Sequence, residues 1–261
     1  MILKYIIIIL SVSMFQPSIT FAGGTMTVGD DFVSDMSQNA SGKGWTWEAR
    51  TSTLTLTEGY SNGAINIACD NSENIRINYV GNFFISTGSA SAIFCGGSLE
   101  ISGNGTLTLE SYNEAVLATM NNLSITGGTV IVNARNNGEH AISCWKDLLI
   151  GGNVIVETTV SDGTGGGLYA GKGISIADNA TVKVTAAGEF HGINAIEDIT
   201  VATNETVTVT VSGSGIPLVS ESGKIIVSNG IVKLNKNDVT DLSELISGIL
   251  EQTGGKINDF E

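Results

Sequence analysis

At 261 residues, with 12 Lys plus Arg against 26 Asp plus Glu, the chain carries a formal charge of −14. A surface this acidic repels phosphate backbones and anionic lipid, which excludes nucleic acid and direct membrane docking as partnerships. An acidic polysaccharide would need a divalent cation such as calcium to bridge it to the protein, whereas a neutral glycan meets no such penalty.

The N-terminus reads as a secretory leader. Lys4 precedes the apolar run Ile6 to Val12, and Thr20-Phe21-Ala22 supplies small residues at a cleavage position, so residues 1–22 are expected to be removed. Loss of Lys4 with them would take the formal charge from −14 to −15. The apolar stretch is too short for a comfortable membrane span, and a secreted or cell-surface location follows. Residues 23–63 form a separate region in which Trp45, Trp47, Leu54 and Leu56 alternate as in a hairpin that caps the next segment.

From about residue 64 to 235 the sequence repeats. Ala92-Ile93, Ala115-Val116, Ala141-Ile142, Gly167-Leu168, Gly192-Ile193 and Gly215-Ile216 open successive units spaced 23, 26, 26, 25 and 23 residues apart. Units this short cannot bury their own apolar face and are stable only when stacked, so each is one coil of a solenoid. Inside a unit, apolar pairs flank polar residues: Ile93/Cys95, Leu99/Ile101 and Leu107/Leu109 in the coil from Ala92, and Val116/Ala118, Leu123/Ile125 and Val130/Val132 in the next. Alternate residues of a strand face opposite ways, so these pairs line one dry interior. The pattern predicts an all-β, right-handed parallel β-helix with three strands per coil.

Small residues recur at the fourth position of the first strand, namely Cys95, Ala118, Cys144, Ala170 and Ala195, as a narrow corner would require. Turns rich in Gly and Asn separate the strands. Asn104, Asn179 and Asn204 share one phase and are expected to form a structural asparagine ladder. Cys95 and Cys144 lie two coils apart, on the order of 9.6 Å, beyond the roughly 7 Å reach of a disulfide. Cys69 sits in an irregular coil at a different phase, and free thiols are expected throughout.

The period changes after Asp238. Val239, Leu242, Leu245, Ile246, Ile249 and Leu250 fall on one helical face, with Asp238 or Thr240 as N-cap, so residues 236–261 are expected to form a capping helix and tail.

Gly44-Trp45-Thr46-Trp47-Glu48, Thr53-Leu54-Thr55-Leu56, Tyr60 and Ala64-Ile65, followed by repeats such as Gly97-Ser98-Leu99-Glu100-Ile101-Ser102-Gly103-Asn104-Gly105-Thr106-Leu107-Thr108-Leu109, resemble the secreted bacterial carbohydrate-binding-domain β-helix family of clostridial-type cell surfaces. The resemblance covers about Gly42 to Leu234. It implies a pectate-lyase-like fold and binding of plant cell-wall polysaccharide, in some members with calcium. No calcium-ligand motif of that family matches this chain residue by residue, so no metal ligands are assigned.

The outward columns are where a ligand would be read. Phe94, Leu117, Ser143, Tyr169 and Asn194 share one outward phase, with Trp145 nearby, and aromatic faces there would stack on the apolar C–H patches of sugar rings. Phe94, Trp145, Tyr169 and Asn194 are therefore the candidate ligand-binding residues; packing under neighbouring loops is the alternative. Asp147 and Asp198, or His140 and His191 with Glu139 and Glu189, could instead serve a polysaccharide lyase or glycosidase, the pairs lying about 9.6 Å apart against an upper bound of about 9.5 Å for an inverting carboxylate pair. Asp is equally common at such turns for local bonding. A purely structural surface protein is the third reading.

Overall fold

The computed structural model of the chain describes residues 23–60, 63–135, 139–161, 165–236 and 242–259. The expected leader lies outside them, as do Asp238 and Thr240, the expected helix caps.

Short strands recur at Ile65–Ala68, Ile93–Cys95, Leu117–Thr119, Ile142–Cys144, Leu168–Ala170 and Ile193–Ala195, and the series continues into Leu218–Lys236 and Ile246–Gln252. Each lies parallel on its successor: Ile65 on Ile93, Ile93 on Leu117, Leu117 on Ile142, and so on to Leu218 on Ile246. The molecule is an all-β solenoid of about eight turns with almost no helix. Long strands complete most coils, including Asn74–Thr87, Ser98–Ser111 and Leu123–Ala134. These join what the sequence presents as two strands, with a register irregularity at the glycine-rich turn between Ile125 and Gly127. The coil of Ile174–Asp178 and Thr181–Ala186 keeps them apart.

The interior is the one the alternation implies. Ile93, Cys95, Ile101, Leu107 and Leu109 are fully buried, as are Ile142, Cys144, Ile150 and Val156 two coils on. One coil departs from its expected phase: Leu117 pairs with Ile93 and Thr119 with Cys95, so Leu117 and Thr119 point inward and Ala118 outward. Three consecutive apolar residues, Val116, Leu117 and Ala118, made the alternation ambiguous there. The Thr119 hydroxyl is tolerated in the dry corner because it donates to the Gly97 carbonyl. The inward small column is therefore Cys95, Thr119, Cys144, Ala170 and Ala195.

Cys144 tests that column. Its thiol donates to the Lys146 carbonyl at 3.5 Å, and burial, with Asp147 nearby, pushes it up to about 12. Cys144→Leu forces a larger side chain between Thr119 and Ala170 and is expected to cost about 1–3 kcal/mol. Cys144→Ala places there the residue that already fills the column at Ala170 and Ala195, and should cost about 1 kcal/mol or less. Thermal melts that coincide for the two variants would show the corner to be roomier than this.

Side chains also stitch the coils from outside. Asn179 Nδ2 donates to Asn153 Oδ1 at 2.7 Å, Asn204 to Asn179 at 2.8 Å, and Asn229 to Asn204 at 2.8 Å. The ladder thus includes the expected Asn179 and Asn204 and extends to Asn153 and Asn229. Asn104 stands apart, because the intervening coil carries Gly127 and Gly128 at its turn, which offer no amide side chain. Those glycines have a different use. The buried Tyr79 side chain reaches across the bend to donate to the Gly127 carbonyl at 2.9 Å. A methyl group at Gly103 would sit 2.5 Å from its ring.

At the N-terminal end, Trp45–Glu48 pairs antiparallel with both Ala40–Gly42 and Thr53–Leu56, and Thr25–Val28 lies antiparallel on Ile65–Ala68. Trp45 and Trp47 are buried, their indole N–H groups donating to Asp31 Oδ2 at 2.9 Å and to the Met36 carbonyl at 2.8 Å. Antiparallel strands laid over the first coil cover an edge that would otherwise recruit another chain.

The C-terminal end is a correction. No capping helix forms over the described part of 236–261. After a short 3-10 turn, Leu242–Glu244, the chain makes strands Ile246–Gln252 and Lys256–Asp259, which lie parallel on Leu218–Lys236. Leu245 and Ile246 are buried, while Ile249 is 66% exposed. The helical spacing of apolar residues is a coincidence of a strand pair in which Leu250 registers with Ile225 and Ile257 with Val232.

Candidate functional site

The short strands form one continuous sheet whose outward column reads Asn66, Phe94, Ala118, Ser143, Tyr169, Asn194 and Val219. Ala118 replaces the expected Leu117, so the column has small side chains in its middle. Beside Ser143 and Tyr169 a cleft of about 560 Å³ opens across three coils. Glu139, His140 and Phe190, which precede their strands, line one side. Trp145, Gly171 and Ile196, which follow theirs, line the other. With coils about 4.8 Å apart, the cleft runs on the order of 10 Å along the solenoid axis.

Two of the four candidate residues meet here. Trp145 is 64% exposed, and the Tyr169 ring lies on the sheet between the two walls. Phe94 does not join them; it lines a separate hollow with Cys69, Gly96 and Met120. Asn194 is also outside the cleft. It is buried, its Nδ2 donates to Glu221 Oε1 at 3.2 Å, and its Oδ1 has no partner among the described residues. Outward phase alone could not separate these cases, because neighbouring loops decide what stays open.

His140 and Phe190 complete the aromatic wall. The His140 ring lies 5.0 Å from Tyr169 and 5.3 Å from Phe190, tilted by 31° and 39°. Gly166 permits this, since a methyl group there would sit 2.5 Å from His140 Cδ2. Phe190 was not among the sequence candidates; it lies in a loop, outside the strand pattern by which outward residues are recognised. His140 is 9% exposed and its Nε2 has no hydrogen-bond partner among the described residues. Burial, with His191 adding repulsion, pushes its pKa down to about 4, so the ring is neutral at neutral pH.

That depression makes His140 an acid-sensitive element. The unfolded chain takes up the proton near the ordinary value of 6.5 and the folded chain only near about 4. Stability is therefore full above about pH 6.5 and falls as pH drops toward 4, by on the order of 2 kcal/mol at about pH 5. His191 is lowered as well, chiefly by burial, and acts in the same direction. Melting temperatures at about pH 7.5 and pH 5 should differ less in His140→Gln than in the parent; identical differences would show that the ring protonates freely in the fold.

The proposed catalytic pairs are engaged elsewhere. Asp147 Oδ1 accepts the Gly173 N–H at 3.2 Å, and Asp198 Oδ1 accepts the Lys224 N–H at 2.7 Å, each reaching a neighbouring coil. Asp178 does the same for Gly152 at 2.8 Å. These are backbone ties between coils. His191 Nδ1 accepts the Ile216 N–H at 3.0 Å, which places any proton of the neutral ring on Nε2. Of the loop candidates only Glu139 and His140 line the cleft. Among the described residues no three His, Cys, Asp or Glu side chains gather where they could hold a metal ion.

Residues 48–164 match the model of a family described as carbohydrate-binding domain-containing protein, and the solenoid is the architecture such a match calls for. The match covers less than half of the chain, and over that stretch the sequence is similar to a carbohydrate-binding family. The matched stretch includes the coil that carries Glu139, His140, Ser143 and Trp145 and stops before Tyr169 and Phe190. No curated protein and no solved structure matches the chain.

Proposed function

We propose that the protein is a secreted or cell-surface module that binds a neutral polysaccharide without cleaving it, holding a short run of sugar rings in the cleft between Trp145, Tyr169 and Phe190. The observation that carries this reading is the cleft itself: three aromatic side chains around a space of about 560 Å³, with the His140 ring packed against Tyr169 and Phe190 in its wall. Rings stack on the apolar faces of sugars. Glu139 is the lone charged side chain among the lining residues, and with a formal charge of −14 on the whole chain this favours neutral ligands over acidic ones.

A non-catalytic role is supported by the use of Asp147 and Asp198 as acceptors for backbone N–H groups. Three strands to a coil and right-handed coiling are part of the same reading, since parallel strands joined by a crossover are right-handed in nearly all folds. Export by a leader at 1–22 would deliver the module to an extracellular glycan.

A glycan array run with calcium and with chelator tests the proposal. Neutral polysaccharides should bind equally under both conditions, and acidic ones weakly. Retention of acidic polysaccharides alone, or the release of new reducing or unsaturated ends on incubation, would overturn it.

A further inference from the structure

Cys69 leaves its strand just past Ile65–Ala68 and settles against the next coil. Ile67 pairs with Cys95, and the Gly96 N–H bonds the Ile67 carbonyl at 2.9 Å. The absence of side chains at Gly96 and Gly97 lets Cys69 approach: a methyl group at Gly96 would lie 2.5 Å from the Cys69 carbonyl oxygen, and one at Gly97 would lie 3.2 Å from its sulfur. The irregular first coil therefore brings Cys69 beside the coil of Cys95, whose thiol donates to the Ser98 carbonyl at 3.9 Å, and the two thiols are near enough to influence one another's ionisation. Neither is in a disulfide. Cys95 is fully buried, whereas Cys69 is part-exposed and lines a hollow of about 540 Å³ that opens to solvent beside Asp70, Phe94 and Met120.

We propose that Cys69 and Cys95 are a redox-active dithiol, in which Cys69 is the entry thiol for a small disulfide and Cys95 the resolving thiol, closing a covalent staple between the first two coils. In the first step the Cys69 thiolate attacks one sulfur of the small disulfide, forming a mixed disulfide and releasing one thiolate. In the second, Cys95 gives up its proton to solvent and attacks Cys69 Sγ, forming the Cys69–Cys95 bond and releasing the second small thiolate. Two cysteine thiols are oxidised and one small disulfide is reduced to two thiols.

The two environments suit those roles. The neighbouring Cys95 thiol is the main influence holding the Cys69 thiol below its usual value, which favours the attacking thiolate. The neighbouring Cys69 and burial push Cys95 up, so it stays protonated until the mixed disulfide forms beside it. Cys144 has no such partner: it is buried two coils beyond Cys95 and holds the Lys146 carbonyl.

The test uses the full chain, fully reduced and then exposed to oxidised glutathione. After denaturation and alkylation the expected product carries one alkylated cysteine, Cys144, a cross-link between the peptides of Cys69 and Cys95, and no retained glutathione. Its melting temperature should rise by on the order of 5 °C. Cys95→Ala removes the resolving thiol, and Cys69 should then keep glutathione as a stable mixed disulfide. Cys69→Ser should leave Cys95 unmodified in the folded protein. Three alkylatable thiols in the treated parent, or a parent that retains glutathione at Cys69, would overturn the proposal.

Discussion

Replacing Trp145 and Tyr169 together with alanine is expected to reduce polysaccharide affinity by at least about 30-fold while leaving the thermal transition within a few degrees of the parent. Buried aromatic anchors at binding sites typically contribute 2 kcal/mol or more when truncated, and about 1.4 kcal/mol corresponds to each factor of ten. Trp145 is 64% exposed, so its removal takes little from the core. Tyr169 contacts His140 at 5.0 Å but projects from the outer face of the sheet, while the inward neighbours Leu168 and Ala170 are unchanged. Phe94→Ala is the control, since Phe94 lines a different hollow. Affinity unchanged in the double variant, measured by isothermal titration against the best ligand of the array, would remove the cleft from the binding surface.

Deleting residues 246–259 should have the largest effect on the molecule as a whole. The strands Ile246–Gln252 and Lys256–Asp259 cover Leu218, Ile225, Val227, Val232 and Leu234, all of which are buried. Uncovering large apolar side chains costs roughly 1.5–3 kcal/mol each when exposure is complete, and partial exposure of several exceeds any single substitution considered above. The deletion also bares Leu218–Lys236, a long parallel edge whose free N–H and C=O groups are open to pairing with another chain. Lower melting temperature and concentration-dependent self-association in light scattering are expected. A truncated protein that stays monomeric with an unchanged melt would show that the last coil contributes nothing to the stack.

The C-terminal segment also shows how a one-dimensional pattern misleads. Leu242, Leu245, Ile246, Ile249 and Leu250 have helical spacing, yet a strand in register with an existing coil gains backbone bonds along its whole length. Leu250 beside Ile225 satisfies that register, and the exposed Ile249 is the residue that a helical lid would have buried. Local periodicity cannot weigh a template that lies 25 or so residues earlier in the chain.

The sequence by itself determined the solenoid, its inward columns and the asparagine contacts between Asn179 and Asn204, because a period near 25 residues and a strand period of two leave a single dry face for stacking. It also supplied Trp145 and Tyr169 as outward-facing rings. The tertiary structure decided which rings meet. His140 and Phe190 reach the cleft from loops, Gly166 clears space for the imidazole, and Phe94 and Asn194 fall outside, since the order of outward residues along a column says nothing about the loops folded over it. It likewise decided the phase of Leu117 and Thr119, through register with Ile93 and Cys95. The nearness of Cys69 to Cys95 arises from an irregular turn that the repeat does not encode, because a repeat fixes positions only where every coil bends alike.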